Sequence, residues 1–264
     1  MAALVAAIHV WLKRRNRLTW MPGTSPGMTR TMTNDRDDDI PARAFFGRRK
    51  GHPLKARQSE LFDDLLPKLA LDLTKPAPAD FSSLFPHAPK TLRLEIGFGG
   101  GEHLIAQAMA HPDQGFIGAD GFLNAVGKLL VAIEDEDLTN IRVFHGDATD
   151  LLDWLPAGAF TRIDLLYPDP WPKRRQWKRR FIQDESLPRL ARLLKSGGEL
   201  RFATDIPSYM TYALTRIQRS PDFVWTAEQA DDWRQPWDGW TRTRYEAKAI
   251  REGRTPAYFV FRKR

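Results

Sequence analysis

The chain of 264 residues contains no cysteine. That excludes a disulfide framework, a zinc–thiolate site and a thiol nucleophile, and it fits a reducing, cytoplasmic setting. Long apolar runs are also missing. The most apolar stretch, Met1 to Leu12, is too short to cross a bilayer. The cations Lys13, Arg14 and Arg15 follow that stretch, the reverse of a secretory signal. No histidines stand at metal-ligand spacing, so His103 and His145 read as structural and neither a metal nor a membrane partner is expected. Residues 1–31 hold five cations and no acid, and Trp20 to Gly27 has neither helical nor strand periodicity.

The formal net charge of +7 is unevenly placed. Residues 1–57 carry 12 Lys/Arg against 4 Asp/Glu, whereas residues 58–264 carry 28 against 29. The body is therefore close to neutral, and any basic surface on it must come from local clustering. Three segments are expected. Residues 1–31 read as a non-structural extension or a misassigned start, with translation beginning at Met28 or Met32; the other reading is a membrane-associating amphipathic tip. Residues 32–57, with Arg48-Arg49-Lys50, form a flexible basic arm. Residues 58–264 form the catalytic domain.

That domain opens with a helix over Ser59 to Ala70 and a proline-rich linker from Lys75 to Lys90. Strand and helix patterns then alternate. Strands are expected at Leu92–Ile96, Gly115–Ala119, Ile141–His145, Ile163–Leu166, Glu199–Ala203, Phe223–Glu228 and Ala257–Arg262. Helices are expected at Glu102–Ala110, Phe122–Ile133, Ala148–Trp154, Lys178–Leu194 and Pro207–Gln218, with Lys195 to Gly198 as a C-cap and Asp231 to Pro256 as a loop. The alternation predicts an α/β fold with a doubly wound, mostly parallel seven-stranded sheet. Ligands in such folds bind outside the carboxyl ends of the strands.

Two motifs fall there. Glu95-Ile96-Gly97-Phe98-Gly99-Gly100-Gly101 occupies the first strand-to-helix turn, with glycines that let backbone approach a ligand closely. A dinucleotide would favour G-x-G-x-x-G, and Glu102 at the last position would repel a pyrophosphate. Asp120 at the end of the second strand suits two ribose hydroxyls, Asp147 after the third suits an adenine amino group, and Glu95 suits a cationic neighbour. A ligand-free tight turn is the alternative. The second motif, Tyr167-Pro168-Asp169-Pro170-Trp171-Pro172, ends a strand and confines Asp169 between two prolines. Six cations lie in the next eight positions, Lys173 to Arg180. They suit a polyanion, or else a solvated helix face.

The chain resembles the bacterial tRNA (guanine-N7-)-methyltransferase family over residues 40–264. The resemblance rests on L-R-L-E-I-G-F-G-G-G-E-H (92–103), P-D-P-W-P-K-R-R-Q-W-K-R-R-F (168–181), F-A-T-D (202–205) and T-R-Y-E (243–246). It implies a class I, Rossmann-like methyltransferase that moves the methyl group of S-adenosylmethionine to N7 of a guanosine in the tRNA variable loop. Carried over position by position, Glu95, Gly97, Gly99, Gly101, Asp120, Asp147 and Asp169 bind the cofactor, and Asp169 is also catalytic. Lys173, Asp205, Thr243, Arg244, Tyr245 and Glu246 bind the substrate. Arg174, Arg175, Gln176, Trp177, Lys178, Arg179 and Arg180 contact RNA. Asp120 stands where the family usually has glutamate, and residues 1–31 have no counterpart in it. Two other functions compete: a methyltransferase acting on a protein or small molecule, and a non-catalytic RNA-binding protein of the same fold. Trp171, Trp177 and Tyr245 are candidates for stacking on a base, or for core packing. The tryptophans at 225, 233, 237 and 240 read as a packing cluster or a stacking platform, and Glu134 to Asp137 as a solvated helix end.

Overall fold

The computed structural model describes residues 47 and 49–264. The N-terminal extension, most of the basic arm and Arg48 lie outside the described residues. Arg49 to His52 are tied down: the Arg49 carbonyl accepts from Leu123 N, Gly51 N donates to Asn124 Oδ1, and Asn124 Nδ2 donates to the His52 carbonyl. A folded element then starts two residues earlier than the expected domain boundary. Helix α1 (Ala56–Asp64) is followed directly by the short α2 (Leu66–Leu69), because Pro67 in the first turn of α2 breaks the single helix expected over Ser59 to Ala70. Arg57 on α1 bridges Glu134 and Asp135 at 2.6 and 2.5 Å, so two of the four acids expected to be merely solvated tie down α1.

The sheet begins with β1 (Leu92–Ile96), α3 (Glu102–Ala110), β2 (Gly115–Asp120), α4 (Leu123–Asp135), β3 (Ile141–His145) and α5 (Ala148–Trp154). It continues with β4 (Phe160–Leu166), α6 (Ser186–Leu193), β5 (Leu194–Thr204), α7 (Pro207–Arg219), β6 (Phe223–Trp225), α8 (Asp231–Arg234), α9 (Arg244–Arg251) and β7 (Ala257–Lys263). Strand order is β3-β2-β1-β4-β5-β7-β6; β1 to β5 run parallel, and β7 runs antiparallel to β5 and β6. The chain reverses its direction of travel across the sheet between β3 and β4. With right-handed crossovers, the reversal sends the early and late helices to opposite faces. It also leaves a crevice outside the carboxyl ends of β1 and β4. One face of the inner strands is apolar, with the register partners Leu94, Ile117, Ile163 and Leu200 fully buried, and the other face buries the charged residues Glu95, Arg162 and Asp164. No helix among the described residues is long and apolar enough to cross a membrane.

Four expected elements change. The loop over Asp231 to Pro256 contains α8 and α9, the latter capped by Thr243 Oγ1, which accepts from Glu246 N at 3.2 Å. The linker from Lys75 to Lys90 holds a 3₁₀ turn at Phe81–Leu84 that buries Phe81 and Phe85. The anticipated C-cap at Lys195 to Gly198 is an irregularity inside β5, where pairing with β4 jumps from Phe160↔Leu194 to Arg162↔Glu199. The long helix expected from Lys178 to Leu194 is instead a 3₁₀ turn (Arg174–Arg179) and the separate α6.

The cause of that break is Arg180. It is 2% exposed, and its guanidinium donates to the Pro170 carbonyl (2.8 Å), the Ser208 carbonyl (2.9 Å) and Ser208 Oγ (3.0 Å). It also lies 4.5 to 4.8 Å from the ring centres of Trp177, Tyr209 and Tyr212. Gln183 Nε2 donates to the Trp177 and Arg180 carbonyls, both at 2.8 Å, taking acceptors that a continuous helix would give to backbone N–H groups. Arg180 therefore joins the Asp169 loop to α7, and its charge is unavailable to RNA. Replacing Arg180 with alanine is expected to cost about 3 kcal/mol, because buried acceptors would be deprived of a charged donor; lysine should recover less than half of it. Arg174→Ala and Arg175→Ala should stay within about 0.5 kcal/mol of wild type. Denaturant unfolding of all four variants checks this, and equal small effects would contradict the role of Arg180.

Candidate active site

The glycine loop leaves β1 through three left-handed glycines, Gly97 (φ 72°), Gly99 (φ 57°) and Gly101 (φ 83°). Side chains at these positions would be strained, so the turn depends on glycine at each of them. Asp120 holds the loop from the end of β2. Its two oxygens accept from Gly99 N and Phe122 N, both at 2.8 Å. Each carboxylate oxygen keeps a second lone pair, so the pair can still receive two hydroxyls. Burial, offset by those two bonds and reinforced by the charges of Asp169 and Glu95, pushes the Asp120 carboxyl up to about 6. Asp147 caps α5, one oxygen accepting from Thr149 N at 2.9 Å.

Glu95 is placed deeper than the sequence suggested. It is 4% exposed, and one of its oxygens lies 2.7 Å from His103 Nδ1 on α3. The other imidazole nitrogen is 3.3 Å from Arg162 Nη2, and Arg162 Nε donates to both oxygens of Asp164 at 2.8 and 2.7 Å. Burial lifts the Glu95 carboxyl above its ordinary range, with His103 pulling the other way. Burial opposes charge on His103, yet Glu95 outweighs it and raises the imidazole. The pair thus retains a proton more firmly than a free imidazole. His103, Arg162 and Asp164 were not read from the sequence as part of the site. The signal was present in β4, where Arg162 and Asp164 stand two apart in an otherwise apolar strand and so share one buried face.

Asp169 sits on the other wall. Tyr167 N donates to the Ala203 carbonyl at 2.8 Å, extending the β4–β5 ladder, and the chain then enters the left-handed region at Tyr167 (φ 50°) and Trp171 (φ 42°). Neither residue is glycine, and each such conformation costs on the order of 1–3 kcal/mol, which surrounding contacts must offset. Arg180 on the Pro170 carbonyl is one; Arg179, 5.2 Å from the centre of the Trp171 ring, is another. The Asp169 side chain reaches solvent, while partial desolvation still raises its carboxyl. Tyr245 lies against Gly99, whose N–H is held by Asp120, and burial, with the charges of Asp120 and Asp169 behind it, raises its phenol.

The T-R-Y-E segment divides in two. Thr243 and Glu246 are 7% and 3% exposed. The Glu246 oxygens accept from Trp240 Nε1 (2.7 Å) and from the Tyr258 hydroxyl. Arg244 and Tyr245 are exposed and lie on the glycine loop, Arg244 Nε donating to Glu102. The acid expected to repel a pyrophosphate is thereby paired. Asp205 is paired too, with Arg254, and so is no isolated anion in the crevice.

Along the basic run, Lys173, Arg174, Arg175 and Lys178 are exposed, and Gln176 and Arg179 are half-buried. Trp177 packs edge-on against Tyr212 at 5.5 Å. Trp225 and Trp233 are buried, and Trp237 and Trp240 pack against each other and Tyr258. Trp225 and Trp233 pack on Phe259 and Trp237 and Trp240 on Tyr258, so the four belong to two packing groups and not to one platform.

A family model described as "Putative methyltransferase" matches residues 89–258. The tRNA (guanine-N(7)-)-methyltransferase of Rhodopseudomonas palustris (strain BisB5) is 57% identical over 220 residues, 83% of this chain and 86% of that protein. That of Bradyrhizobium diazoefficiens is 55% identical over 230 residues, covering 87% and 98%. That of Rhodopseudomonas palustris (strain CGA009) is 49% identical over 267 residues, 99% of each, so most of residues 1–31 are aligned with a relative after all. With such identity over more than four fifths of its length, the chain belongs to the tRNA (guanine-N(7)-)-methyltransferase family.

Proposed function

We propose that the chain transfers the methyl group of S-adenosylmethionine to N7 of a guanosine in the variable loop of tRNA. The observation that carries this reading is the meeting of Asp120 and Tyr245 at Gly99 of the glycine loop, with Asp169 just past the end of the neighbouring strand β4, in a chain of this family. The acids suit the cofactor. Asp120 retains lone pairs for the ribose diol, Asp147 one oxygen for the adenine amino group, and Glu95 with Asp169 a negative field for the cationic sulfonium end. When bound, S-adenosylmethionine supplies an electrophilic methyl group.

Guanine N7 carries a free lone pair. It forms the new N–C bond as the S–C bond breaks, the S–C electron pair stays on sulfur, and no proton leaves N7. The chain therefore has no need of a strong general base. It must align the acceptor and favour positive charge arriving on the purine. Asp169 suits both tasks: stiff backbone on either side holds the carboxylate still, and its charge can accept from the N1–H and N2–H edge of the base. Buried Thr243 and Glu246 seat the strap that carries Arg244 and Tyr245. Lys173, Arg174, Arg175 and Lys178 supply phosphate contacts outside the pocket, with Arg180 holding the loop from within.

Asp169→Ala is expected to remove methylation while tRNA affinity survives. Labelled cofactor, unmodified tRNA and borohydride–aniline cleavage read the product, and near-normal turnover would remove Asp169 from the mechanism. Alanine at Arg174, Arg175 and Lys178 together should flatten the dependence of log affinity on log salt, by about one in slope for each phosphate no longer neutralised. An unchanged slope would move the RNA surface elsewhere.

Cofactor affinity should also depend on pH. Below about 6 Asp120 is protonated in the free protein and accepts hydroxyls poorly, so Kd should rise as pH falls, by up to about tenfold per unit. Asp120→Asn should bind weakly at every pH. Calorimetry across pH 5 to 8 measures it; a wild-type Kd flat through that range would show that Asp120 does not meet the ligand.

A further inference from the structure

The crevice that the cofactor reading above assigns to S-adenosylmethionine is dominated by acids: Glu95, Asp120 and Asp169 contribute to one field. They suit the ammonium and sulfonium of that cofactor, but its α-carboxylate would be repelled there unless a cation met it. One cation lies directly on the glycine loop. A Cβ placed on Gly100 would stand 2.0 Å from Arg244 Nη2 and 2.3 Å from its Cζ, so the guanidinium rests where only glycine leaves room. Next to it, a Cβ on Gly99 would meet the Tyr245 ring at 2.8 Å.

The placement is built into the fold. Arg244 is the first residue of α9, following the Thr243 cap, while Glu246 is held by Trp240 and Tyr258 and Ala249 is fully buried. Arg244 Nε donates to Glu102, which aims the remainder of the fork along the loop. A guanidinium has five N–H donors, and Glu102 uses one. Among the described residues no other acceptor takes Nη1 or Nη2, and the side chain is 43% exposed.

We propose that Arg244 receives the α-carboxylate of S-adenosylmethionine and that Glu102 orients it, which makes Arg244 the residue that distinguishes the intact cofactor from analogues lacking that group. Calorimetry on the full chain with S-adenosylmethionine and with decarboxylated S-adenosylmethionine tests this. Arg244→Gln should weaken binding of the intact cofactor about tenfold or more and leave the decarboxylated analogue within about twofold. Gly100→Ala, which forces the guanidinium off the loop without altering Arg244, should show the same selectivity. Equal weakening for both ligands, or none for either, overturns the assignment alone. Wild type binding neither ligand overturns the cofactor reading and this assignment with it.

Discussion

A single buried guanidinium sets the geometry on which the site depends. Arg180 is bonded to the Pro170 carbonyl on one side and to Ser208 of α7 on the other, within a box of three aromatic rings. The Asp169 loop needs such a hold, since Tyr167 and Trp171 occupy backbone conformations that side-chain-bearing residues avoid. Prolines restrict the loop locally, but they cannot choose where it points. The tie to α7 does that, and it converts a stiff segment into one with a definite position against β1 and β2.

Charge is arranged in layers around this hold. Deepest is the buried chain of Glu95, His103, Arg162 and Asp164, where two bases stand between two acids and each meets a partner. Above it the crevice is acidic, and burial keeps Asp120 and Asp169 easier to protonate than free carboxyls. Outside stand the exposed cations Lys173 to Arg175 and Lys178. An acidic pocket behind a basic rim suits a cationic cofactor and a polyanionic substrate, and it keeps the two from competing for the same surface.

The parallel sheet and its order of elements were legible in the sequence because buried strands and amphipathic helices alternate with clear punctuation. The strand-end acids were legible for the same reason, since topology alone places them together. What escaped was set by long-range contacts. Arg180 looks like its five cationic neighbours in sequence, and only tertiary packing makes it a core residue. The break before α6 follows from that burial, so no local propensity announced it. Helix α9 carried a readable cue in Thr243-x-x-Glu246, a capping-box pattern, although Glu246 turns inward to Trp240 and Tyr258 instead of back to the cap.

Methyl transfer onto N7, with Asp169 as a fixed anion and no proton removed, is the central claim. Its most direct measurement is label incorporation from S-adenosylmethionine into a tRNA transcript bearing 7-deazaguanosine at the variable-loop position, beside the same transcript with guanosine. Label should enter the guanosine transcript and be absent from the 7-deaza transcript. Equal labelling of both would contradict N7 as the acceptor and the role assigned to Asp169.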